Sequence, residues 1–198
     1  MDRYESISYA LMARDFWRLV SNSCEELVKR GNPQSLMYEG WHWPSDKEWM
    51  EHTKWSDINI AQPVLFNFYH GIELSLKALL SAKELEPPKK HTLSSLYTSA
   101  IERYSDQRIE KFYSKYVLDE NLPEILSRFC DESKVSIDLY YQSLKYPTSA
   151  KGMEFKHAEL RYNGTDGVDF FNDIKNDCDE FTQVLSELVA NEIKPHNK

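Results

Sequence analysis

The chain has 198 residues, 41% of them hydrophobic and 28% charged, with a net charge of −8 and a pI near 5.3. That length suits a single domain spanning 1–198 whose core needs no metal or disulfide staple. The acidic balance argues against diffuse binding along nucleic-acid backbones while leaving room for one focused basic site.

Chain order gives mostly helices. Tyr4, Ile7, Leu11, Phe16, Leu19 and Val20 recur at three- to five-residue spacing and predict a first long helix running to about Arg30, stopped by Gly31-Asn32-Pro33. Residues 31–59 hold Trp41, Trp43, Trp49 and Trp55 without a regular period. They read as an aromatic insertion between the first two long helices. Its tryptophans either cover the bundle or a subunit contact, or offer bases a stacking platform.

Ile60 to Lys83 is the most apolar stretch, with Leu65, Phe68, Tyr69, Ile72, Leu74, Leu76, Leu79 and Leu80 spread over much of a helix circumference, which predicts a central helix. Pro63 is expected in its first turn. A short helix is expected from Thr92, capped by that residue, and another over Ser105 to Val117. Pro123 opens a long helix carrying Ile125, Leu126, Phe129, Ile137, Tyr140, Tyr141 and Leu144. Residues 147–167 read as a polar loop, and Val168 to Ile193 as the last helix. With strand signals weak, the expected fold is all-α: an antiparallel bundle of about five helices.

Cys24, Cys130 and Cys178 form no metal-binding or redox pattern, and free thiols suit a reducing cytoplasm. No secretory leader or membrane-spanning run is recognisable, so a cytoplasmic location is expected. No phosphate-binding glycine loop, metalloprotease motif or nucleophile elbow is present. No cofactor or metal is expected.

Three groups of side chains are candidates for chemistry. His70, Glu73 and Lys77 share one helix face, with Glu73 and Lys77 in the favourable i,i+4 order. They form either a register-fixing polar seam or a ligand-facing one. His91 stands at a helix start, where it caps or contacts ligand. Lys145, Tyr146, Lys151, Lys156, His157, Arg161 and Tyr162 concentrate cations and aromatics in a short span of an acidic chain, as a soluble surface or as a place for phosphate and base.

The run Leu65-Phe66-Asn67-Phe68-Tyr69-His70-Gly71-Ile72-Glu73-Leu74-Ser75-Leu76-Lys77-Ala78-Leu79-Leu80 resembles the signature helix of the HEPN superfamily, and Lys89-Lys90-His91-Thr92-Leu93-Ser94-Ser95-Leu96-Tyr97 resembles its next element. Leu160-Arg161-Tyr162-Asn163 is similar to the Arg-Tyr near the last helix of some members. The resemblance covers about residues 60–190, the insertion lying outside it. It implies a helical domain that binds nucleotide, RNA or a cognate partner protein, dimerises, and belongs to prokaryotic defence or toxin–antitoxin systems. From their placement, His70, Glu73, Lys77, His91, Arg161 and Tyr162 are the expected ligand contacts. Ribonuclease members carry an arginine followed, after four to six residues, by a histidine. No arginine here has a histidine at that spacing, and Lys151 with His157 is the nearest imitation. A non-catalytic binding protein is therefore expected. The alternatives are a metal-independent ribonuclease using His157 or His70 with Arg161, or a helical docking scaffold.

Overall fold

The computed structural model describes residues 3–34, 44–83 and 92–193. Eight α-helices order the described chain: α1 (Arg3–Arg30), α2 (Asp46–Thr53), α3 (Asp57–Ala82), α4 (Leu93–Ile101), α5 (Gln107–Val117), α6 (Glu124–Ser133), α7 (Ile137–Ser143) and α8 (Gly164–Ile193). Among the described residues there is no strand beyond one isolated bridge, Thr148 with Glu154. The all-α expectation holds.

Helix α3 is central. Leu65, Phe68, Tyr69, Ile72, Leu76 and Leu79 are fully buried, and α1 and α8 pack along it while α4, α5 and α7 close its remaining sides. Trp17, Phe68, Phe112, Tyr116 and Phe181 interlock edge to face, with Phe112 stacked on Phe181 at 4.1 Å.

The structure corrects several sequence readings. In α1 the buried face is Ala13, Trp17, Val20, Cys24 and Leu27, whereas Tyr4, Ile7, Leu11 and Leu19 are exposed. Both faces of the helix carry apolar residues at helical spacing, so periodicity alone could not choose between them. The expected long helix after Pro123 is two, α6 and α7. Lys134 adopts a left-handed conformation at φ 52° and ends α6. The Asp119 carboxylate then accepts from Ile137 N at 2.8 Å, capping α7 from 18 residues away. The part of the insertion that is described holds α2, opened by a Ser45–Glu48 capping box. Trp49 and Trp55 are half-buried, and Trp41 and Trp43 lie outside the described residues. Pro63 sits inside α3 rather than in its first turn, because the helix starts at Asp57. These breaks and additions turn about five expected helices into eight.

Candidate functional site

Two of the candidate groups meet at the C-terminal end of α7. Three successive residues there each receive a group from elsewhere. Ser143 O accepts from His157 Nε2 at 2.8 Å, Leu144 O accepts from Gln62 Nε2 at 2.9 Å, and Lys145 Nζ lies 5.6 Å above the Phe66 ring. The last carbonyls of a helix have no partner within it, and His157 and Gln62 satisfy two of them.

On α3, Lys77 Nζ lies 2.6 Å from Glu73 Oε1, with side chains only 12% and 7% exposed. An ion pair this sheltered is weakly screened, and loss of either partner would leave an unmatched buried charge. His70 Nδ1 is 3.9 Å from the same carboxylate. Its ring is stacked parallel to Phe66 and meets Phe16 edge-on at 4.6 Å. Burial lowers the His70 pKa below the usual histidine value; Glu73 pulls the other way, and Lys145 and Lys77 reinforce the burial. The seam expected from sequence is thus a real cluster, lined by Phe16 of α1 and Lys145 beyond α7.

The second region follows α7. His157 opens a 3-10 turn (His157–Leu160) and its ring packs against Phe129 and Phe155. A carbonyl can only accept, so Nε2 carries the proton in its bond to Ser143 and only Nδ1 is left as a base. Arg161 is half-buried, and its guanidinium makes no ion pair among the described residues. Tyr162 is 60% exposed and held at φ 62°. His91 lies outside the described residues.

What holds Arg161 and Tyr162 is a buried polar node that sequence reading missed. Asp57 is fully buried at the first turn of α3. Its carboxylate accepts from Tyr162 N at 3.0 Å, Asn163 N at 2.8 Å and Asn32 Nδ2 at 3.0 Å. Asn32 Oδ1 in turn accepts from Asp57 N at 2.8 Å, and Asn32 Nδ2 also donates to Gly164 O. The helix N-terminus and two further backbone N–H groups neutralise this carboxylate without a cation. Gly167 makes room for it, since a Cβ there would lie 2.6 Å from Asn32 Nδ2. Arg128 adds a second tie, donating to Asn163 Oδ1 and pairing with Glu159 at 3.0 Å. One node joins the end of α1, the start of α3 and the start of α8. The Asn-Gly pair at 163–164 and Gly167 were the available signals, but their partner Asp57 is over 100 residues away.

Among the described residues no group of histidines, cysteines or carboxylates could hold a metal ion, and no helix is long and apolar enough to cross a membrane. No curated protein and no solved structure matches the chain. The HEPN domain matches residues 59–160, just over half of the chain, from the first turns of α3 to the 3-10 turn at His157. That span contains the α3 seam and the end of α7 where the candidate groups converge, and the chain belongs to the HEPN domain family.

Proposed function

We propose that this protein is a non-catalytic HEPN domain that binds a nucleotide or RNA and acts as a homodimer. The observation that carries the reading is the state of His157. Its Nε2 is committed to the α7 carbonyl end and its ring is packed between two phenylalanines. Metal-independent RNA cleavage needs a mobile acid or base near neutrality and a cation poised at the same phosphate. A capping histidine and an arginine outside the family's ribonuclease spacing do not supply that pair. What remains around it, Lys145, Tyr146, Lys151, Arg161 and Tyr162, suits binding. A setting in prokaryotic defence or a toxin–antitoxin pair, with a cognate partner protein, follows from the family resemblance, and a cytoplasmic location suits the three free thiols.

Purified protein assayed against labelled RNA, with and without nucleotides, tests this: binding without turnover is expected. Turnover abolished by both His157→Ala and Arg161→Ala would establish the ribonuclease alternative instead.

The homodimer draws support from α1. Tyr4, Ile7, Leu11, Met12 and Leu19 are exposed on the side away from the core. Beside them an apolar groove of about 490 Å³ runs between α1 and α8, lined by Leu11, Val189 and Ile193 among others. A second copy is the occupant that this reading assigns to the face. Light scattering at tens of micromolar (roughly) should give twice the chain mass, and Leu11→Glu should halve it.

A further inference from the structure

The segment after α7 builds a feature that the seam does not use. It is a small hairpin: Thr148 bridges Glu154, Ser149 N donates to Met153 O at 2.8 Å, and Gly152 N donates to Ser149 O at 2.9 Å. Gly152, at φ +79°, turns the chain where a side chain would be strained. The hairpin is anchored at its base by buried Phe155 and by Lys156 N, which donates to Ser133 Oγ at 2.9 Å. Ser133 is the last residue of α6, and Lys134 follows it in the left-handed turn.

Between the hairpin, this turn and α7 lies a cleft of about 420 Å³. Its apolar side includes Leu139, Tyr146 and Met153, which are 50%, 62% and 40% exposed. Lys134 and Lys151 line it too, with the hydroxyls of Thr148 and Ser149, and none of the lining residues is acidic. This runs against the chain's net charge of −8. Arg14, Arg108, Lys115 and Lys175 each hold a carboxylate. Lys134 and Lys151 hold none among the described residues, so their charge is available to a ligand.

An exposed aromatic ring beside apolar side chains selects a flat, weakly polar body. Two uncompensated ammonium groups and two hydroxyls select an anion with several acceptor oxygens. The volume falls in the lower part of the range typical of small-molecule sites, enough for one such body. Stacking on Tyr146 needs a base with an open face, which a paired strand does not offer. We propose that this cleft binds one nucleoside phosphate unit, with the base on Tyr146 and the phosphate on Lys134 and Lys151. The unit comes either from a free nucleotide or from single-stranded RNA. The inference rests on the nucleotide or RNA reading above and narrows it to one place.

The test uses the full chain, with adenosine monophosphate, adenosine and inorganic phosphate in calorimetry and a labelled single-stranded RNA heptamer in anisotropy. Adenosine and phosphate alone should bind at least about tenfold more weakly than the monophosphate. Tyr146→Ala and Lys151→Ala, both at exposed positions, should each weaken monophosphate or heptamer binding by about tenfold, with unchanged melting temperature. Lys47→Ala, removing an exposed lysine of α2, should leave binding unchanged. A heptamer that binds more tightly than the monophosphate identifies the strand as the source, and the reverse identifies the free nucleotide. Binding that ignores both cleft variants, or that falls equally with Lys47→Ala, overturns the cleft while leaving nucleotide or RNA binding in place. No binding of any probe overturns both.

Discussion

Replacing Gly71 with alanine sets local preference against tertiary packing, and the two predict opposite signs. Gly71 lies well inside α3, where alanine is favoured over glycine by about 1 kcal/mol. A Cβ at that position would stand 2.4 Å from Trp17 Nε1 and 2.6 Å from Trp17 Cδ1. Trp17 is 1% exposed and donates its indole N–H to Phe68 O at 3.2 Å, so it has nowhere to retreat without breaking that bond. Overpacking costs about 1–3 kcal/mol, and an orphaned buried donor about 1–3 kcal/mol more. After the helix-propensity gain, the net loss should be roughly 1–5 kcal/mol. Urea unfolding followed by tryptophan fluorescence measures it. A variant as stable as the parent, or more so, would refute the close approach of α1 to α3. Adding Trp17→Phe to Gly71→Ala should lose less than the two single changes summed, because both act on one contact.

Leu76→Ala should cost about 2–5 kcal/mol in denaturant unfolding, since the side chain is fully buried; a loss below about 1 kcal/mol would move α3 to the surface. Asp57→Ala should cost about 3–5 kcal/mol by stranding three donors at once. Amide exchange at Tyr162 and Asn163 should accelerate with it, and protection unchanged there would mean the node does not hold this segment. Because burial lowers the His70 pKa, the unfolded chain takes up that proton first. Its contribution to stability is complete above the ordinary value near 6.5 and is lost as pH falls from there through the lower folded value. His70→Phe should flatten this part of the stability–pH curve, and an unchanged slope would assign the effect to other groups.

The apolar pattern of α3 was legible because nearly all its circumference is buried, so no choice of face was needed. The helices themselves, the seam of His70, Glu73 and Lys77, and the cation-rich span after α7 were legible for a related reason: each is a matter of residue types at short spacing. The covered face of α1 was not. Ile7, Leu11 and Leu19 are as apolar as the residues inside, and what selects the other face is Trp17 fitting against Gly71. The break between α6 and α7 was hidden for a comparable reason. Lys134 carries no left-handed signature, and the Asp119 cap that restarts the chain is remote from Ile137.

The sequence by itself thus determined the helical class, the central element and the family, because these depend on periodicity and on a motif confined to neighbouring residues. Only the tertiary structure decided the rest. It brought Asp57 to Tyr162 and Asn163, turned His157 into a cap on α7, and folded Tyr146 and Lys151 around one cleft with Lys134. Each of these joins groups separated along the chain. Buried polar groups and helix ends must find partners somewhere, and which distant residue supplies them is set by packing.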